Sequence, residues 1–213
     1  MKRMVVAVVA GLLAVTAAAQ PSPPEVIEEA ARQLDEAVKE RREELAANKE
    51  ELYSLIDDIL LPRFDRRYAA QLVLARHWRS ASEEQRQEFI DAFYDSMLQQ
   101  YADAVLEFNM DQIEILPYRG DASDERTTVR TTVRLEDGTR VPVDYVMVRR
   151  SDGWKIFDVR IEGISYVRRY RADMNSEIQA NGLDAVIRRL RESPEEIIGS
   201  PDEDVTGEAG PDE

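Results

Sequence analysis

Cysteine is absent from the 213 residues, and histidine occurs once, at His77. Without cysteine there is no disulfide scaffold, no Cys–His nucleophilic pair and no thiol through which a lipid anchor could be attached. With one histidine, metal sites built from several His or Cys ligands are excluded; His77, beside Trp78, reads as an ordinary helix residue satisfied by a neighbour. Gly-rich phosphate loops and the GxSxG nucleophile elbow are missing too. Positive charge is scarce, with 28 Lys and Arg against 43 Asp and Glu and a formal charge of −15. That balance argues against nucleic-acid binding, which needs a basic face.

Long apolar runs are also lacking. The one candidate, Met4 to Val15, falls short of the roughly 20 residues that span a bilayer. Lys2 and Arg3 precede it and Ala17, Ala18 and Ala19 follow it, so residues 1–19 are read as a cleaved signal peptide. The mature chain is then expected to be exported and soluble. Residues 20–192 suit a single domain, long enough to bury a core and enclose a cavity. From Ser193 to Glu213 there are Asp, Glu, Pro and Gly but no Lys or Arg, the composition of a disordered acidic tail.

Within the domain the hydrophobic period changes twice. Residues 24–108 read as helical. Val26, Ile27, Ala30, Leu34, Ala37 and Val38 form one apolar stripe, and Leu52, Leu55, Ile56, Ile59 and Leu60 form another. The charged stretch Glu40 to Glu50 between them is either one continuing helix or a break near Asn48. Pro62 ends the second stripe, and Asp65 is placed to cap a helix running through Tyr68 and Leu72 to Trp78. Ser82 and Gln85 have capping-box spacing and open the longest amphipathic helix, whose apolar face carries Phe89, Phe93, Met97 and Tyr101.

Residues 111–161 read as strands. Ile113 and Ile115 alternate, as do Val129 to Leu135; Asp137 and Gly138 signal a hairpin, and Val141, Val143, Tyr145 and Met147 answer across it. The last strand, Trp154 to Ile161, is read with Phe157, Val159 and Ile161 on one face and Trp154, Ile156 and Asp158 on the other. Gly163 then turns the chain into a helix from Ile164, and residues 164–192 are helical. The expected fold is α+β: a curved, four-stranded antiparallel sheet packed against several helices, with a cavity between them.

Carboxylates lie mostly on polar faces. Asp144 and Asp158 interrupt apolar strands, and an acid in a cleft can serve as a general base. An NTF2-like isomerase or dehydratase using Asp144 or Asp158 is therefore the alternative reading; structurally, both acids can instead pair with arginines or cap loop amides.

The order of segments carries a resemblance. LLPRFD (Leu60 to Asp65), LARHW (Leu74 to Trp78), SEEQRQEFIDAF (Ser82 to Phe93), YADAVLEF (Tyr101 to Phe108), VPVDYVM (Val141 to Met147) and GWKIFDVRIEGISYVRRYR (Gly153 to Arg171) together resemble the MlaC, or toluene-tolerance, family of phospholipid carriers. The resemblance implies a periplasmic carrier of a Gram-negative bacterium that is not an enzyme, is a monomer, binds no cofactor and takes a diacyl phospholipid as cargo. It implies partners as well: an inner-membrane ABC transporter with an MCE-domain protein, and an outer-membrane lipoprotein complex. A lipid pocket is expected from Leu60, Phe64, Leu72, Phe93, Met97, Tyr101, Val143, Tyr145, Phe157, Val159, Ile161 and Ile164. Arginine clusters at Arg63, Arg66 and Arg67 and at Arg168, Arg169 and Arg171 are read as solvated faces or as contacts for a lipid phosphate or an acidic partner surface.

Overall fold

Ser22 opens the first helix, donating its backbone N–H to Glu25 Oε2 at 2.6 Å, so that a donor at the helix start finds a partner. The computed structural model describes residues 20–194 apart from residues 108 and 122. The signal peptide and nearly all of the acidic tail read from the sequence lie outside the described residues. Helix α1 (Pro23–Ala47) kinks at Arg41, whose φ of −131° leaves the helical range. Asn48 then breaks the chain: its side chain accepts the Glu51 N–H and caps α2 (Lys49–Leu60). The charged stretch is therefore a helical hairpin, clasped by Arg41 bonding to both Glu44 and Glu51.

A 3-10 turn (Leu61–Arg63) holds Pro62, and Asp65 caps α3 (Arg66–Leu74) by accepting the Tyr68 N–H at 3.0 Å. The single helix expected through Trp78 is divided, because Ala75 takes a φ of +48° and Trp78 sits on the short α4 (His77–Ser80). The capping box at Ser82 and Gln85 forms as expected and opens α5 (Glu83–Leu106).

The sheet runs β1 (Ile113–Ile115), β2 (Arg126–Arg134), β3 (Arg140–Arg150) and β4 (Gly153–Ile161), each antiparallel to the next. A fifth strand, β5 (Ile164–Ser165), corrects the expected four and pairs with Arg160 and Ile161. Its cause is local. Glu162 and Gly163 take φ of +52° and +83°, and two successive positive φ values make a tight hairpin turn that folds the chain back on the strand it has just left. Helix α6 (Tyr166–Asn181) consequently starts at Tyr166 and not at Ile164; Gly182 ends it, and α7 (Leu183–Glu192) follows.

The register of β3 on β4 corrects a second expectation. Val146 faces Asp158 but Met147 faces Ile156, so Phe157 is an extra residue in a β-bulge. The bulge exchanges faces: Ile156, opposite Met147, and Val159, opposite Tyr145, now lie on the same side. Trp154 and Ile156 pack with Val129, Met147 and Ile27 of α1, while Phe157 leaves them for the helices and meets the Tyr68 ring edge-on at 5.0 Å.

Three apolar clusters result. One joins α3, α5, α6 and α7 around Phe89, Tyr170, Met174 and Leu190. A second joins α1, α2 and α5 around Val38, Leu45 and Leu52. The third packs α1 on the sheet.

Candidate lipid-binding site

Phe64 follows the 3-10 turn and is fixed to the sheet through its neighbour, because the Asp65 N–H donates to the Ile156 carbonyl at 2.8 Å. An apolar cavity lies on each side of its ring. The larger, about 220 Å³, is bounded by Ile27, Ala30, Ala31 and Leu34 of α1, by Leu60, and by Ile113, Tyr145 and Ile156 of the sheet. The smaller, about 70 Å³, lies among Ala69, Val73, Phe93, Tyr94, Met97, Phe157, Val159, Tyr166, Val167 and Tyr170. Phe64 lines both.

The charged residues bordering these cavities, Arg63 and Asp158, both have partners. Arg63 reaches the larger one with its stem, its guanidinium bonding the Ile59 carbonyl and Gln33 Oε1. Asp158 borders the smaller one and is 7 % exposed. One of its oxygens accepts Ser165 Oγ–H at 2.7 Å and the other the Val167 N–H at 3.1 Å, so this acid fastens the start of α6 to β4. Burial pushes the Tyr94 and Tyr145 hydroxyls above the usual phenol range, keeping both neutral. Asp144, the other acid weighed for general-base chemistry, stands between Arg130 and Arg160 on neighbouring strands. His77 bonds Asn175 through Nε2 at 3.1 Å. Among the described residues no group of three or more His, Cys, Asp or Glu is disposed to hold a metal ion, and no helix is long and apolar enough to cross a membrane.

What this arrangement can do chemically is enclose apolar matter. In comparison with known proteins, residues 28–192 match the family model described as MlaC protein. The chain belongs to the MlaC family. One relative, the toluene tolerance protein ttg2D of Pseudomonas putida, is 28 % identical over 185 residues, which cover 86 % of this chain and 85 % of that protein. Another, from Haemophilus influenzae, is named the intermembrane phospholipid transport system binding protein MlaC and is 24 % identical over 186 residues, covering 86 % and 87 % of the two chains. Among solved structures, the phospholipid-binding protein of Ralstonia solanacearum in complex with a phospholipid superposes with a TM-score of 0.72 at 25 % identity. It covers 79 % of this chain and 94 % of its own. The family model and this likeness make the chain an MlaC-family protein of α+β fold.

Of the residues expected to form an MlaC-type pocket, Leu60, Phe64 and Tyr145 line the larger cavity. Phe64, Phe93, Met97, Phe157 and Val159 line the smaller. The other five line neither. Leu72 packs into the helical cluster, and the Tyr101 hydroxyl bonds that of Tyr170 at 3.1 Å. Val143 is buried in β3, its carbonyl accepting Thr131 Oγ–H at 2.8 Å. Ile161 is paired with Ile164, and Ile164 is 52 % exposed because β5 turns it outward. The α1 residues Ile27, Ala30, Ala31 and Leu34 were missed. Their signal was the first apolar stripe, where adjacent alanines leave room that larger side chains would fill.

Proposed function

We propose that this protein is a carrier that holds the acyl chains of a diacyl phospholipid in the cavities flanking Phe64 and ferries the lipid between two membranes. The observation that carries the reading is that these two apolar spaces meet at a single side chain in a phospholipid-binding fold. Each methylene removed from water contributes roughly 0.8 kcal/mol, so covering two long tails stabilises the complex by about 20 kcal/mol relative to water. Relative to a bilayer the tails gain almost nothing. Such a protein lowers the barrier to crossing an aqueous gap and leaves direction to its partners.

Those partners, on this reading, are an inner-membrane ABC transporter displaying an MCE-domain protein and an outer-membrane lipoprotein complex, with the periplasm as the gap. The name of the Haemophilus relative, an intermembrane phospholipid transport system binding protein, supports carriage between membranes. No catalytic step is assigned, since Asp158 spends both oxygens on α6. The larger cavity, about 220 Å³, is below the roughly 300–1,000 Å³ of ordinary ligand pockets, so α1 and the sheet separate and the Phe64 ring swings aside when tails enter.

Purification of the mature protein without detergent, followed by solvent extraction and mass spectrometry, tests this. Stoichiometric diacyl phospholipid is expected. A protein that is empty and also takes nothing from phosphatidylethanolamine vesicles refutes the proposal.

A further inference from the structure

Phe64 lines a third cavity. This one is open, measures about 630 Å³, and is bounded by the turn before α3 and the β3–β4 hairpin. Its charged lining is Arg66, Arg67, Arg150 and Lys155 with Asp65 and Asp152, a positive balance on a chain whose formal charge is −15. A neighbouring cavity of about 490 Å³ shares Arg150 and Ser151 and adds Arg126, Arg149 and Glu125. The two form a basic trough whose inner end abuts the apolar spaces behind Phe64.

The cations of the first cavity differ in how firmly they are held. Arg67 and Glu83, 51 % and 66 % exposed, pair at 2.8 Å; Arg150, 41 % exposed, pairs at 2.6 Å with Asp65, 16 % exposed; Lys155, 19 % exposed, pairs with Asp152 at 2.9 Å and donates to the Pro62 carbonyl at 2.7 Å. An exposed pair such as Arg67–Glu83 contributes about 0–1 kcal/mol, so an incoming anion displaces Glu83 at little cost, whereas Arg150 stays on Asp65 and offers an anion its remaining N–H groups. Arg66 lies over the Tyr94 ring at 5.8 Å and has no carboxylate within ion-pair distance among the described residues. Its planar fork is suited to two phosphate oxygens.

A basic trough opening onto apolar space has the polarity of a phospholipid. We infer that the trough is a phosphate site, in which Arg66, Arg150 and Lys155 receive the headgroup phosphodiester of the lipid whose tails lie beyond Phe64. The assignment rests on the acyl-chain reading of the apolar cavities and adds to it a preference for phosphate-bearing over phosphate-free lipids.

Vesicles of dioleoylphosphatidylcholine doped with dioleoylglycerol offer the same tails with and without a phosphate. The protein is incubated with them and the phospholipid-to-diacylglycerol ratio it retains is measured by mass spectrometry. In Arg66→Gln/Arg150→Gln the ratio is expected to fall about tenfold, equivalent to roughly 1.4 kcal/mol, with diacylglycerol uptake maintained as evidence of folding. Should the double variant lose its circular dichroism spectrum, Arg66→Gln alone, which breaks no ion pair, gives the same comparison with a smaller fall. A ratio unchanged from wild type overturns the inference. Inorganic phosphate titrated onto lipid-free protein separates the two sources: binding that the substitutions abolish while the lipid ratio stays put makes the trough a free-phosphate site and overturns the headgroup assignment. Wild type that takes up neither lipid refutes the carrier proposal itself, an outcome distinct from a lost preference.

Discussion

The helical cluster of α3, α5, α6 and α7 and the space beneath α1 are both apolar, yet they are packed to different ends. In the first, Leu74, Phe89, Tyr170, Met174 and Leu190 are all at most 1 % exposed. Phe89 stacks on Phe93 at 5.4 Å and Phe93 meets Tyr170 edge-on at 5.2 Å. In the second, Leu60, Ile113 and Tyr145 are only half-buried around an unfilled cavity of about 220 Å³. Protein interiors are close-packed, with few voids larger than a water molecule. A void kept open by Ala30 and Ala31 therefore marks a place where room, not stability, is the product. The helical cluster chiefly holds the fold together and keeps only the cavity of about 70 Å³ along Phe93 and Tyr170, whereas the region beneath α1 holds the larger space.

The largest effect that tests this division is on stability. Phe89→Ala is expected to cost about 3–5 kcal/mol in urea unfolding, whereas Leu60→Ala, beside an existing void and half-exposed, costs about 1 kcal/mol. Equal losses at the two sites would erase the distinction. Next comes Asp158→Ala, which strips the Val167 N–H and the Ser165 hydroxyl of their acceptor. It is expected to cost about 1–3 kcal/mol and to leave lipid uptake per folded molecule intact. A variant that keeps its unfolding midpoint would show that the acid does not hold α6.

Space can be tested by filling it. Ala31→Phe places a ring in the larger cavity, so its unfolding free energy should move by less than about 1.5 kcal/mol. Its uptake of phospholipid from vesicles should fall about tenfold or more, roughly 1.4 kcal/mol. Uptake equal to wild type would mean that tails lie elsewhere.

How much of this was legible beforehand follows from what sequence patterns encode. Caps were legible because they depend on residues three apart: Asp65 with Tyr68 and Ser82 with Gln85 formed as read. The sheet order was legible from alternation and Asp137–Gly138. What alternation cannot show is an interruption of itself. The bulge at Phe157 is a property of two strands in register, and it moved that ring off the face of Val159 and placed Ile156 there. Likewise, nothing in Glu162 announces a positive φ, yet that angle makes β5 and exposes Ile164. In the helical half bulk was easier to notice than room. Large side chains of α3 and α5 drew notice: Phe93 and Met97 line the smaller cavity, Leu72 and Tyr101 pack or bond elsewhere, and small residues of α1 line the larger one.

The smallest effect concerns charge on α2, where it faces α3 and α5. Burial, aided by the nearby Asp95, raises the pKa of Asp57 on α2, and Arg66 pulls the other way. A folded-state pKa above the unfolded value means that the folded protein binds the proton more tightly. Ionised Asp57 therefore costs stability at neutral pH, and the cost disappears as pH falls through the raised pKa toward the unfolded value of about 4. Asp57→Asn should accordingly raise Tm at pH 7 by less than the roughly 2–4 °C that 1 kcal/mol produces in a chain of this size, and the gain should vanish near pH 3.5. In an Arg66→Gln background the gain at pH 7 should grow, because the opposing charge is gone. A gain independent of pH would assign the effect to the amide's own contacts and remove the charge from the account. Burial raises Asp95 of α5 and Asp173 of α6 in the same way, so the helical cluster carries the same kind of charge cost and the contrast between the two regions is one of volume.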